Sequence, residues 1–193
     1  LALMLALLCA FGAAADTTVG MTGAGTFRME QAYVNVPELD VYFYALDGDG
    51  NPYSSIKVQA AGPELTLGDR RLEVRSVAVA SDPICYILAL DNSADLPAAD
   101  FYTMLGGVRK LINAMDADDQ LMLYTTAGAA ECVLPATSDK ALMYKALGAV
   151  QQAEGRMDSA QLVSAVYTDI QSDFQALAPR KAAMIVTDAG QVL

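Results

Sequence analysis

Acidic and hydroxyl side chains follow two apolar segments of the sequence and carry its clearest chemistry. The segment Asp-Asn-Ser-Ala-Asp, residues 91–95, directly follows the continuous apolar run 84–90, and Asp188 directly follows the apolar segment 181–187. A continuous apolar run is typical of a parallel strand that is buried on both faces. Because ligands bind at the carboxyl ends of the strands in open α/β sheets, we expect both acidic groups at one sheet edge. Carboxylate and hydroxyl oxygens together suit Mg2+ or Ca2+.

The elements that must position these groups alternate between strands and helices. The continuous apolar run 84–90 predicts a strand, and further strands are predicted over 120–126, 130–134 and 181–187. Apolar residues at helical spacing, with Pro97 suited to a first turn, predict helices over 97–114, 138 to about 153, and 159–177. This order predicts an α/β fold with an open, mostly parallel, Rossmann-like sheet flanked by helices.

Two segments of the chain resemble metal-binding motifs of the von Willebrand factor A (VWA) family. That family ends its first strand in Asp-x-Ser-x-Ser, takes a Thr from a loop before a later helix, and places an Asp after its fourth strand. The segments that match the first and last of these motifs are ICYILALDNSAD and MIVTDAGQ. The resemblance covers residues 84–193 and implies a metal-ion-dependent adhesion site. It makes Asp91 and Ser93 direct ligands and Asp188 the carboxylate of the third loop.

The sequence departs from the VWA motif at two positions. Asp95 stands where the family has Ser, and it still offers an oxygen ligand. The Thr position falls on Ala160 in one register and on Asp158 or Ser159 in others. We therefore expect a degenerate site for Mg2+ or Ca2+, built from Asp91, Ser93, Asp95 and Asp188.

The family resemblance also implies the order of the strands and the state of the cysteines. A sheet order of 3-2-1-4 places the second strand between the strands that carry Cys85 and Cys132. Strands two positions apart are separated by about 10 Å, which is beyond the reach of a disulfide. We expect both residues to be buried free thiols. The family plan contains further strands and helices, so we expect the domain to continue beyond Leu193.

The N-terminal residues predict export. The apolar run 1–12 is too short to span a bilayer and long enough for the core of a signal peptide. Three alanines and then Asp16 follow, as signal peptidase prefers, so we predict a signal peptide over 1–15. The run starts with Leu and has no basic segment before it, so we expect a few leading residues to be missing. A membrane or wall anchor would lie beyond Leu193.

Two further regions precede the VWA-like segment. Residues 16–28 are rich in Gly, Thr and Ala and predict a linker. Residues 29–80 have a β pattern, with alternation at 56–60 and 72–77, and predict a small β-sandwich-like domain. This region resembles the short β segment that precedes such domains in some exported bacterial proteins. The VWA-like domain occupies 82–193.

Composition excludes several classes of function. The chain has 12 basic and 23 acidic residues and a formal net charge of −11, which disfavours nucleic acids and anionic lipid surfaces as partners. It contains no His, which removes the usual general base and the usual zinc ligand. For the functions that remain, the VWA resemblance implies a non-enzymatic surface or secreted module that binds a protein ligand, with an acidic side chain of that ligand completing the cation's coordination.

Three alternatives remain open at the level of sequence. The site could have lost its metal, which would leave a VWA-like scaffold that binds through its loops. Asp91 could be the nucleophile of a phosphatase-type hydrolase, although Ser93 stands where that pattern needs a second Asp and Lys181 precedes its strand. Asp91 and Asp95 could also simply cap the helix that starts near Pro97.

Overall fold

Residue contacts divide the chain into two compact units, Leu1–Ser81 and Asp82–Leu193. The computed structural model describes residues 19–20, 26–35, 37–156, 159–174 and 176–187. The predicted signal peptide over 1–15 lies outside the described residues, as does Asp188. Export and the position of the Asp188 carboxylate therefore stay predictions.

The N-terminal unit contains two small antiparallel sheets and one short helix. Strand β1 (Val19–Gly20) pairs with β4 (Glu64–Leu67), which pairs with β5 (Arg70–Leu72). Strand β2 (Thr26–Asn35) pairs with β3 (Glu38–Leu46). Helix α1 (Ser55–Ala61) lies between β3 and β4 in the sequence.

The prediction of a strand over 56–60 is wrong, because this segment forms α1. The hydroxyl of Ser54 accepts a hydrogen bond from the backbone N–H of Lys57 at 3.3 Å, as a residue that caps the N-terminus of a helix does. Gly62 follows the helix with a φ of 63°, the left-handed conformation that commonly ends helices. Among the residues of α1 whose side chains are described, only Val58 is buried. The alternating pattern of this segment therefore did not require a strand.

The boundaries of two other N-terminal predictions are also wrong. The predicted linker 16–28 contains β1 and the beginning of β2. The predicted strand over 72–77 ends at Leu72, and residues 73–83 form no regular element. Leu72 pairs with Leu65, close to the beginning of β4. Pro63 precedes β4 and has no N–H with which to extend the β4–β5 pairing beyond Leu65.

The C-terminal unit is an open α/β sheet with helices on both faces. Its elements are β6 (Ile84–Leu90), α2 (Ala98–Ala114), β7 (Gln120–Thr125), β8 (Glu131–Thr137), α3 (Lys140–Ala149), α4 (Ser159–Ser172) and β9 (Arg180–Val186). The strand order is β8-β7-β6-β9, with β6 parallel to β7 and β9, and with β8 antiparallel to β7. The predicted mostly parallel sheet and its 3-2-1-4 order are confirmed.

Strand β6 is apolar throughout because both of its faces are covered. Leu88 and Leu90 join one buried cluster, in which Ile112 of α2 and Leu147 of α3 also lie. The alternate residues join a second cluster on the opposite face with Leu162 of α4. Alternation along a strand sends successive side chains to opposite faces, so one strand supplies both clusters. Within the described residues, no helix is both long enough and apolar enough to cross a membrane.

Both cysteines of this unit are free thiols, as predicted. Cys85 of β6 is fully buried, whereas Cys132 of β8 is only half-buried, which corrects the prediction that both are buried. Strand β7 lies between their two strands. Burial raises the pKa of the Cys85 thiol to about 11, so this thiol stays protonated at neutral pH and is a poor nucleophile.

Candidate metal centre

The ends of β6 and β9 meet at a buried carboxylate. Asp91 is fully buried, and its backbone N–H donates to the carbonyl of Val186 at 2.9 Å, which continues the β6–β9 pairing by one residue. Oδ1 of Asp91 accepts the backbone N–H of Ser93 at 3.0 Å, and Oδ2 accepts the hydroxyl of Thr187 at 2.9 Å. The turns after β6 and β9 therefore share one carboxylate at the carboxyl edge of the sheet.

Thr187 was missed by sequence reasoning, although it is the residue immediately before Asp188 in the motif MIVTDAGQ. Its hydroxyl reaches Asp91 across 96 positions of the chain. Thr187 therefore contacts Asp91, and the next residue in the sequence is the predicted third-loop ligand, Asp188. The position of Asp188 stays a prediction.

The hydroxyl of Ser93 is buried beside Asp91 and stands out among the polar groups of this turn. Ser93 is fully buried, and its Oγ has no hydrogen-bond partner among the described residues. An unsatisfied buried hydroxyl costs about 1–3 kcal/mol and is uncommon in native structures. The Asp91 carboxylate beside it has two hydrogen bonds for about four lone-pair sites and keeps capacity for a further partner. This set of oxygens fits a hard cation.

Asp95 does not share the burial of Asp91 and Ser93. Its side chain is 57% exposed, and Oδ2 lies 3.3 Å from Nε of Arg156, whose side chain is 81% exposed. Ion pairs this exposed contribute little to stability, so the contact leaves Asp95 free to exchange partners. Sequence reasoning missed Arg156, although it is the only basic residue between Lys145 and Arg180.

Helix capping does not explain the acidic residues of this turn. Pro97 occupies the N-cap position of α2, and no side chain hydrogen-bonds to the exposed N–H groups there. In contrast, Asp139 caps the N-terminus of α3, because its carboxylate accepts hydrogen bonds from the N–H groups of Ala141 and Leu142. The capping alternative for Asp91 and Asp95 is therefore wrong.

The segment after α3 forms the second loop of the candidate site. The helix predicted to about 153 ends at Ala149, and Ala153 forms a parallel bridge with Ser93 of the turn after β6 instead. Ala153 donates its N–H to the carbonyl of Asn92, and Ala94 donates its N–H to the carbonyl of Ala153, both at 2.8 Å. The side-chain amide of Gln152 donates to the carbonyls of Ser93 and Leu96.

The three residues considered for the family's Thr position lie at or just before the start of α4. Ala160 lies in the first turn of the helix and offers no hydroxyl, and Ser159 begins the helix. Asp158 lies outside the described residues. Within the described part of the chain, no three His, Cys, Asp or Glu side chains gather as a metal cluster. Among the described residues of this edge, the buried carboxylate is that of Asp91, the hydroxyls of Ser93 and Thr187 lie beside it, and the carboxylate of Asp95 is exposed.

A hydrogen bond holds α4 against the face of the sheet opposite α2 and α3. The hydroxyl of Tyr124 donates to the carboxylate of Asp169 at 2.7 Å. Burial raises the pKa of Tyr124, and the hydrogen bond to Asp169 raises it further. The phenol is therefore a permanent donor at neutral pH, and it holds the helix that begins at the second loop against β7.

Three solved structures are similar to part of this chain. BatB from Bacteroides thetaiotaomicron is 22% identical, with 55% of this chain and 54% of that chain covered and a TM-score of 0.42. The vWF domain of the type V pili tip protein Mfa5 from Porphyromonas gingivalis is 14% identical, with 57% and 39% covered and a TM-score of 0.45. The SpRpn10 VWA domain is 16% identical, with 55% and 63% covered and a TM-score of 0.43.

The unit Asp82–Leu193 has a VWA-like fold, with the strand order and the helices on both faces that the sequence resemblance implied. No family model and no curated protein matches the chain. The chain spans about half of the length of BatB, 54%.

The contact between the second loop and the loop after β7 gives a test of the site's architecture. Gly155 has a φ of 109°, and a Cβ atom there would lie 2.6 Å from the backbone nitrogen of Gly128. We expect Gly155→Ala to lower the free energy of unfolding by about 1–3 kcal/mol, because both the conformation and the contact exclude a side chain. The measurement is urea unfolding followed by circular dichroism.

Gly148→Ala is the matched control. Gly148 lies in α3, and a Cβ atom there would meet nothing within 4 Å. The same substitution should stabilise the protein by about 0.5–1 kcal/mol, because Ala favours the helix. Equal effects of the two substitutions would contradict the close packing of the two loops.

Proposed function

We propose that the chain is an exported protein-binding module whose contact surface is the carboxyl edge of the sheet, where Asp91, Ser93 and Asp188 hold Mg2+ or Ca2+. The observation that carries the proposal is the buried Ser93 hydroxyl without a hydrogen-bond partner among the described residues. The resemblance of the two flanking motifs to the VWA family supports the same three ligands. Export rests on the apolar run and alanines of residues 1–15.

The overall charge indicates what the cation does for recognition. A chain with a formal net charge of −11 repels acidic ligands. A divalent cation with an open coordination position reverses the local charge and accepts a carboxylate oxygen. The partner is therefore a protein that presents an acidic side chain, and the loops after β6, β7 and α3 supply the remaining contacts.

Cation-dependent melting of the chain and of Ser93→Ala tests this proposal. In EDTA, we expect Ser93→Ala to melt at or above the temperature of the unaltered chain, because the substitution removes an unsatisfied buried hydroxyl. At a Mg2+ or Ca2+ concentration 100 times the dissociation constant, the unaltered chain should gain about 2.7 kcal/mol of stability by mass action, and Ser93→Ala should lose most of that gain.

Ser138→Ala is the control, because Ser138 is exposed and precedes α3. It should keep the full cation-dependent gain. No change in the melting temperature of the unaltered chain on adding either cation would defeat the proposed metal site. A Ser93→Ala variant that is destabilised in EDTA would show that the hydroxyl has a partner within the protein.

Removal of Arg156 should strengthen cation binding. Its guanidinium pairs with Asp95 and adds positive charge beside the turn that would hold the cation. Exposed pairs contribute about 0.2–1 kcal/mol, so we expect Arg156→Gln to bind Mg2+ or Ca2+ roughly two- to fivefold more tightly in isothermal titration calorimetry. Lys110→Gln, which removes the same charge from an exposed position of α2, should leave the affinity unchanged.

The Arg156–Asp95 pair also favours a second candidate function. Arg156 supplies positive charge from the second loop, close to where the VWA motif has its Thr. A metal-free module that binds partners through these loops would use that guanidinium, rather than a cation, to meet an acidic ligand. Under this alternative, EDTA leaves partner binding intact and Arg156→Gln abolishes it.

A further inference from the structure

Asn92, the residue between the two predicted ligands of the first turn, forms hydrogen bonds through both its side-chain oxygen and its side-chain nitrogen. The residue is only 6% exposed. Its Oδ1 accepts the backbone N–H groups of Thr126 at 3.0 Å and Ala127 at 2.8 Å. Its Nδ2 donates to the carbonyl of Gln151 at 3.0 Å. A buried amide satisfied in this way is strongly held in one orientation.

The partners of Asn92 come from separate parts of the chain. Thr126 and Ala127 follow β7, whereas Gln151 follows α3. The backbone carbonyl of Asn92 also accepts the N–H of Ala153 in the second loop. One residue therefore ties the loop after β7 and the loop after α3 to the turn that carries Asp91 and Ser93.

The contacts around this residue require both an acceptor and a donor. The N–H groups of Thr126 and Ala127 need an acceptor, and the carbonyl of Gln151 needs a donor. An ionised Asp has the same shape but only acceptors, so it would oppose the Gln151 carbonyl. The hydroxyl of Thr126 also donates to the carbonyl of Leu90 at 3.2 Å and ties the same loop to the end of β6.

We infer that Asn92 is a positioning residue of the candidate metal centre: it clamps the loops after β7 and α3 onto the first turn and thereby sets the positions of the Asp91 carboxylate and the Ser93 hydroxyl. Its effect on cation binding rests on the proposed function. The clamp itself does not, since it consists of hydrogen bonds within the protein.

Asn92→Asp separates positioning from charge. The substitution adds a negative charge beside Asp91, so electrostatics alone would tighten the binding of a cation. Positioning has the opposite consequence, because the carboxylate repels the Gln151 carbonyl and loosens the second loop. Loss of partners that orient metal ligands typically costs 10–100-fold in affinity. We therefore expect Mg2+ and Ca2+, measured by titration calorimetry, to bind Asn92→Asp at least tenfold more weakly.

Asn113→Asp is the matched control, because it makes the same chemical change at an exposed residue of α2 and keeps an acceptor for the hydroxyl of Tyr144. Its cation affinity should equal that of the unaltered chain. Unchanged or tighter binding by Asn92→Asp would overturn the inference, because the added charge would then be its only effect.

Amide hydrogen exchange tests the clamp without a cation and with a second variant. Asn92→Ser adds no charge and is too short to span both loops. We expect the Thr126 and Ala127 amides to exchange at least tenfold faster in Asn92→Ser, while the amides of β7 keep their protection. Unchanged protection of these two amides, or failure of both Asn92 variants to fold, would overturn the inference.

The cation titration and the hydrogen-exchange measurement together distinguish failure of the inference from failure of the proposed function. If the unaltered chain binds neither Mg2+ nor Ca2+, the proposed metal site fails, and the exchange of Thr126 and Ala127 still decides whether Asn92 holds the loops. If the unaltered chain binds a cation and Asn92→Asp binds it equally well, the metal site stands and the positioning role fails.

Discussion

The buried carboxylate of Asp91 is the constraint around which the C-terminal unit is organised. A charge buried this deeply is costly unless hydrogen bonds or a cation satisfy it. Its two described partners are the Ser93 amide of its own turn and the Thr187 hydroxyl at the end of β9. The contact therefore requires β6 and β9 to lie side by side and to end at the same level. Their parallel pairing, from Ile84 to Leu90 on β6, provides that arrangement.

Hydrogen bonds and close packing connect the surrounding loops into a frame at this edge of the sheet. Asn92 and the backbone of 92–94 bind the loops after β7 and α3, and Gly155 packs closely against Gly128. Within this frame the Ser93 hydroxyl alone is buried without a partner among the described side chains. The other buried polar side chains that the structure describes have hydrogen-bond partners, whereas the Ser93 hydroxyl lies beside a carboxylate without one. This arrangement of oxygens suits a hard cation.

Local patterns predicted the elements of the C-terminal unit, whereas contacts distant in sequence determined the details of the site. The apolar run of β6 and the start of a helix near Pro97 were predictable from local signals, and the strand order followed from the resemblance to the VWA family. The end of α3 at Ala149 was not predictable, since it depends on a distant turn with which Ala153 pairs through Ser93. The Asp95–Arg156 ion pair and the partners of Asn92 could not be predicted either, because these residues are also far apart in the sequence. In the N-terminal unit, the alternation at 56–60 predicted a strand, whereas the segment forms α1, with the Ser54 hydroxyl at its beginning and Gly62 after its end.

Paramagnetic broadening of amide signals by Mn2+ tests most directly whether these turns share one cation. The amides of the turn after β6, of Thr187 and of the loops after β7 and α3 should broaden first, at substoichiometric Mn2+, and excess Mg2+ should reverse the effect. Broadening spread over the exposed carboxylates of the surface, with the turn after β6 no more affected than the rest, would contradict a metal centre at Asp91 and Ser93.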